Sequence, residues 1–140
     1  MTYEEWEASV PALIREDSLW RVEAYRLRLF LSDLAWEDAG KLLKDRRTWG
    51  IADQLYRASG NISSNISEGY SRCTGKDRAR FYEYSLGSSR EARDWYYKGR
   101  HVLDPAVVSH RLELCTRIIR LTITMISNER KSNRRIGEDA

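Results

Sequence analysis

Proline is almost missing from this chain. Pro11 and Pro105 are the only two in 140 residues, and glycine occurs eight times, so little in the sequence stops a helix once it has started. No apolar run approaches the ~20 residues that a membrane-spanning helix needs, so no membrane association is expected. Histidine and cysteine are equally scarce. His101 and His110 are the only imidazoles, and neither follows a glutamate by three residues, which argues against the Glu-x-x-His pairs of bundle di-iron sites. Cys73 and Cys115 stand far apart, with no CxxC and no nearby His pair, so no zinc site is legible. There is no serine–histidine–aspartate pattern and no glycine-rich phosphate loop; Gly87 and Gly99 are lone helical glycines explained by packing. No metal, no cofactor and no catalytic residue is therefore expected. Net charge is small too, +3 from 24 basic and 21 acidic residues, which permits a nucleic-acid partner without demanding one. The N-terminal MTYEEWEAS is acidic and has no apolar core, so no export signal is expected and the cytoplasm is the expected compartment.

What remains is ordinary for a water-soluble chain, 41% hydrophobic and 32% charged, at a length suited to one domain with a real core. Five Trp and eight Tyr are notable; such rings fill cores and interfaces more often than they stack on bases. The helical pattern is clearest in QLYRASGNISSNISEG, residues 54–69. Leu55, Ala58, Ile62 and Ile66 form an apolar seam at spacings of three and four. Gln54, Asn61 and Glu68 recur every seven residues beside it, with Asn65 between. Ser59, Gly60, Ser63 and Ser67 occupy the far side, where Lys and Glu would normally face water, and this predicts burial on more than one side.

The sequence divides into an N-terminal arm or short helix over 1–17, a four-helix bundle over 18–130 and a polar tail over 131–140. Thr2 and Glu5 have capping-box spacing. The first long helix spans about Ser18–Leu43 and carries two apolar stripes. One holds Leu19, Val22, Tyr25, Leu29, Trp36 and Leu43, the other Trp20, Leu27, Phe30, Leu31 and Leu34; which faces inward is open. The second spans about Trp49–Gly69, with Gly69 as its C-terminal cap. The third opens at Gly75 behind Thr74 and Asp77 and runs to about Leu103, with Phe81, Tyr84, Ser85, Ser88, Ala92, Trp95, Gly99 and Val102 as its seam. Asp104-Pro105 opens the fourth, which runs to about Arg130. Its stripes are Val108, Leu112, Cys115, Ile119, Thr122 and Ile126, and Leu114, Ile118, Leu121 and Met125. Short connections make neighbours antiparallel, so the expected fold is all-α, an up-down-up-down bundle. The first and fourth helices have more apolar arc than one core face uses, which predicts a homo-oligomer.

Glu68 and Glu91 are the candidate carboxylates. As a pair they could act in general acid–base chemistry or hold a cation; as seam-edge groups they would be hydrogen-bonded to Asn65, Arg57 or a backbone amide, and this second reading is preferred. Asn61 and Asn65 are expected to make inter-helix hydrogen bonds that set register. Basic residues cluster more than the net charge suggests: Arg72, Lys76, Arg78 and Arg80 around the second turn, Arg90, Arg93 and Arg100 on the third helix, Lys131, Arg134 and Arg135 in the tail. Repeated around an oligomer, these would add phosphate contacts for RNA or DNA. The alternative is a salt-bridged surface with Glu83, Glu91 and Asp94.

Two stretches carry a family resemblance. Gln54, Leu55, Arg57 and Ala58, then Asn65, Ile66, Glu68 and Gly69, then Gly87, Ser88 and Glu91 resemble the signatures of the 23S ribosomal RNA intervening-sequence, or four helix bundle, proteins. The likeness runs from about Leu19 to Ile126. Tyr56, Gly60, Ser85 and Ala92 depart from the family's usual residues and alter packing. The resemblance implies a homopentamer without established activity. It also implies a similarity to the accessory proteins of diversity-generating retroelements, which bind nucleic acid and partner a reverse transcriptase. The functional expectation is a non-enzymatic oligomer that binds nucleic acid through repeated basic patches. The alternative is a scaffold whose partner is another protein.

Overall fold

A computed structural model describes residues 1–139, with side chains through Lys131. Several helix starts are set by a short polar side chain that takes up an unpaired backbone N–H, whereas Pro11, Val22 and Thr48 precede helices without a side-chain cap. Thr2 and Glu5 close a reciprocal capping box, 3.2 Å in each direction, at the head of α1, Tyr3–Ser9. Pro11 separates it from one turn, α2, Ala12–Arg15. The Asp17 carboxylate accepts from the Leu19 N–H at 2.9 Å and nucleates a 3₁₀ turn over Ser18–Arg21. Val22 is extended, so the first long helix, α3, begins only at Glu23 and ends at Leu42. That is five residues later than the apolar stripes alone suggest. α4 covers Trp49–Tyr70 and α5 covers Gly75–Lys98, the latter capped by the Thr74 hydroxyl accepting from Asp77 N–H at 3.2 Å. The third helix thus closes sooner than predicted, in a 3₁₀ turn at Gly99–His101. The Asp104 carboxylate accepts from Ala106 N–H at 3.1 Å, with Pro105 in the first helical position of α6, Pro105–Asp139. Its backbone stays helical past Arg130, where a polar tail was expected.

The long helices alternate in direction and close a ring in the order α3, α4, α5, α6. Contacts are densest between α4 and α5 and between α5 and α6, and sparsest where α6 meets α3. No strand occurs among the described residues. The fold is therefore the all-α antiparallel bundle expected. α1 lies on α3, where the buried Trp6 donates its indole N–H to Asp33 Oδ2 at 2.6 Å and its ring packs 5.4 Å from Phe30.

Rotation settles which stripes are core. On α3 the inward set is Leu27, Phe30, Leu31, Leu34, Ala35 and Leu42, while Trp36 and Leu43 of the other stripe remain 67% and 55% exposed. α4 uses the predicted seam of Leu55, Ala58, Ile62 and Ile66. α5 is turned relative to the prediction. Ala79, Tyr82, Ser85, Ser89, Ala92 and Tyr96 face inward, Tyr84 is exposed, and Phe81, Ser88 and Trp95 are only half-buried. α6 draws from both of its stripes, burying Val108, Leu114, Cys115, Ile118, Ile119, Thr122 and Ile126. Two apolar clusters result. The larger holds Phe30, Leu31, Leu55, Ile62, Tyr96 and Ile118; the smaller holds Ile66, Ala79, Tyr82 and Ile126.

Gly69 is not the predicted cap. It lies inside α4, no described glycine has positive φ, and Ser71 takes the cap position. Its value is closeness: a Cβ there would stand 2.8 Å from Tyr82 Cε1 and 3.0 Å from Phe81 Cβ. Gly60 on the same helix has nothing within 4 Å of its missing Cβ. Two substitutions separate these cases. In chemical denaturation, Gly69→Ala is expected to lose about 1–3 kcal/mol by forcing α5 outward, whereas Gly60→Ala is expected to gain about 0.5–1 kcal/mol from helix propensity.

Candidate nucleic-acid interface

The predicted cations do not form one patch. Arg72, Lys76, Arg78 and Arg80 surround the α4–α5 turn at one end of the bundle. Arg72 and Arg80 both lie over the Phe81 ring, 4.6 and 5.3 Å from its centre. Arg78 is ion-paired with Glu129 at 3.0 Å and also donates to the Arg72 carbonyl; Arg80 stands 4.0 Å from Asp77. Arg90 is exposed midway along α5. Arg93 turns toward α6 and donates to Thr116 Oγ1 at 3.3 Å. Arg100 sits at the opposite end, its guanidinium 4.0 Å from the centre of the Tyr97 ring. Arg72, Lys76, Arg90 and Arg100 are exposed and have no ion-pair partner among the described residues. Lys131 is exposed as well, and the side chains of Arg134 and Arg135 lie outside the described residues.

The amide and carboxylate motif points outward. Gln54, Arg57, Asn61 and Glu68 are exposed, and Asn65 is half-buried. They lie roughly 60–140° around α4 from the inward Ile62, off the apolar seam. Arg57 pairs with Asp53 at 3.2 Å on its own helix. Glu91 is exposed and accepts from the Trp95 indole N–H at 3.2 Å. Among the described residues Asn61 and Asn65 make none of the inter-helix hydrogen bonds expected of them, and Glu68 is bonded neither to Asn65 nor to Arg57. Instead the serines of α4 bond to their own helix, as Ser59 does to the Leu55 carbonyl at 2.9 Å. No group of three metal-ligating side chains occurs among the described residues.

The buried charges lie elsewhere. Asp38 is fully buried, accepting from Tyr96 Oη–H and from Arg111 Nε–H, both at 2.8 Å. Arg111 also contacts His110 Nδ1 at 2.6 Å. Burial and the neighbouring carboxylate hold the Tyr96 phenol well above its ordinary pKa, and burial then Arg111 lower that of His110. Arg28 is fully buried with no carboxylate in reach. It donates to the Ile62 carbonyl at 3.1 Å and to Thr122 Oγ1, while its Nε–H has no partner. Burial pulls its pKa down to about 9. Sequence reasoning missed these groups, although a signal was present. Arg28 and Asp38 fall at the three-and-four spacings of Ala24, Leu31, Leu34, Ala35 and Leu42, a charge at each interruption of an otherwise apolar stripe. Cys115 is buried and its thiol is pushed up to about 12, whereas Cys73 is exposed.

The family model described as 23S rRNA-intervening sequence protein matches residues 23–124. No curated protein matches the chain.

The two buried cations should behave oppositely. Asp38→Ala, which strands Arg111, is expected to cost about 3–5 kcal/mol by denaturant titration, whereas Arg28→Met should be neutral or stabilising, since no partner charge is left behind. In the thiol assay, native protein at mildly alkaline pH should label Cys73 alone, with Cys115 reacting only after unfolding.

Proposed function

The chain belongs to the 23S rRNA-intervening sequence protein family, and from that membership we propose that it is a self-associating helical bundle that binds nucleic acid and acts without catalysis. The observation that carries this reading is the set of exposed cations, Arg72, Lys76, Arg90 and Arg100, that have no carboxylate partner among the described residues. Each such group that meets a phosphate releases a counterion condensed on the polynucleotide, and the gain adds across copies. The family's name, tied to an intervening sequence of ribosomal RNA, agrees with an RNA-related role.

Self-association is supported by the outward stripe of α3. Trp36 and Tyr56 meet edge-on at 5.5 Å over a floor of Ala39, Gly40 and Ala52, with Leu43 at its edge. An open apolar groove of this kind suits a helix of another copy; five copies is the number the family resemblance implies. The same groove supports a second reading, a scaffold for a different protein, and a stoichiometric protein partner that survives nuclease treatment in a pull-down would favour it.

Two measurements test the proposal. Light scattering should give a mass several times that of one chain, falling to one chain for Trp36→Glu with Tyr56→Glu. Nucleic-acid affinity should fall linearly in log–log form with salt, and charge reversal at Arg72, Lys76, Arg90 and Arg100 should abolish it while the far-UV spectrum holds. Salt-insensitive binding, or none, would sink the nucleic-acid reading.

A further inference from the structure

The end of the bundle opposite the α4–α5 turn is built from two adjacent connections, residues 41–49 and 97–104. They touch through Leu42, whose side chain lies against Gly99; a Cβ on Gly99 would stand 3.1 Å from Leu42 Cδ2. These two short segments hold six Lys and Arg against two carboxylates, Asp45 and Asp104. The rest of the chain is slightly acidic by the same count. Both carboxylates are already engaged. Asp45 is ion-paired with Arg47 at 2.7 Å and also accepts from the Arg47 backbone N–H, while Asp104 caps α6. Asp94 lies one turn before Lys98 on α5, and even with it included the end remains strongly positive.

The cations here are interleaved with exposed rings. Trp49 is 51% exposed and Tyr97 is 54% exposed. Arg46 lies over Trp49 at 5.7 Å and Arg100 over Tyr97 at 4.0 Å. Lys98 lies over Trp95 at 4.5 Å. Trp49 is also tethered: its indole N–H donates to the Leu43 carbonyl at 2.8 Å. Arg100 donates to the Tyr97 carbonyl at 3.0 Å. The Trp49 ring and the Arg100 guanidinium over Tyr97 are therefore held in place before anything binds, which reduces the ordering cost of a contact there. The α4–α5 turn differs. Its ring, Phe81, is half-buried and has a guanidinium from Arg72 and another from Arg80 over it, and two of its four cations are ion-paired.

We propose that this end of the bundle binds a single-stranded polynucleotide, with Trp49 and Tyr97 as stacking platforms for bases and Lys44, Arg46, Lys98 and Arg100 as phosphate contacts. The inference rests on the nucleic-acid reading above and adds the strandedness and the place. Stacking needs a base face that is open, which an unpaired strand offers and a duplex hides; a duplex would engage only the charges. The pairing of a ring with a cation at each platform supplies a base contact and a phosphate contact within one nucleotide's reach.

The test uses the full chain with labelled oligo(U), oligo(dT) and a duplex of equal length, followed by anisotropy and tryptophan fluorescence. Both single strands should bind more tightly than the duplex and quench tryptophan; a preference between the two will say whether RNA or DNA is the better source. Trp49→Ala and Tyr97→Ala should each weaken single-strand binding on the order of tenfold and leave duplex binding unchanged. Trp49→Phe should retain most of the affinity, which separates stacking from a folding defect. Arg46→Gln and Arg100→Gln should each lower the salt slope by about 0.7. If the duplex binds as tightly as oligo(U), or if the folded Trp49→Ala/Tyr97→Ala variant binds like wild type while reversal at Arg72 and Lys76 weakens binding, this inference falls and the broader reading stands. Polyglutamate bound as tightly as oligo(U) would also overturn it, assigning the surface to acidic proteins. Failure to bind any polynucleotide would overturn both.

Discussion

A single buried node ties all four long helices at one level. The Ile62 carbonyl of α4 receives the Arg28 guanidinium of α3 and, at 2.9 Å, the Ser85 hydroxyl of α5; the same guanidinium reaches Thr122 of α6. Apolar packing is tolerant of small slips along a helix, but these directional contacts are not. The node lies between the two apolar clusters, with Ile62 at the edge of one and Ile66 at the edge of the other. It places a desolvated charge where hydrocarbon would be more stable, and what it supplies is register rather than stability. Its serine hydroxyl, bonded to the Ile62 carbonyl, also draws α5 close to α4, next to the Gly69–Tyr82 contact.

A second polar centre, Asp38 with Tyr96 and Arg111, sits toward the other end and ties α3, α5 and α6. Between them the two centres fix the helices in rotation as well as height. That rotation controls the surface. With Tyr96 drawn inward to Asp38, its neighbour Tyr97 is turned out beneath Arg100. With Leu42 inward against Gly99, Leu43 and the Trp36–Tyr56 groove are left open. The candidate binding surfaces are thus by-products of where the buried polar groups had to go.

Much of the fold was legible. Thr2, Thr74 and Asp104 announced three helix starts, and each cap is formed. The α4 seam was legible because its apolar residues are few and sit on one narrow arc. Other parts were not. Of the seam read on α5, Ser85 and Ala92 do face inward, but Tyr82, Ser89 and Tyr96 take the places given to Phe81, Ser88 and Trp95, one position round the helix. Asn61 looked buried because an amide is not the usual surface residue, and Glu68 because it shares the heptad edge of Gln54 and Asn61; within one chain both are exposed. The cations were grouped by closeness in sequence, which says nothing of which carboxylate a partner helix brings; Glu129 came to Arg78 from α6.

The sequence by itself determined the long helices, the caps at Thr2, Thr74 and Asp104, the helix order and the antiparallel bundle, because those depend on local spacing and on connections too short to allow anything else. Only the tertiary structure decided which of two apolar stripes turned inward, that Arg28 and Asp38 are core residues, and which cations are left free. Those outcomes depend on groups far apart in the chain meeting at one level, and no local pattern contains that information.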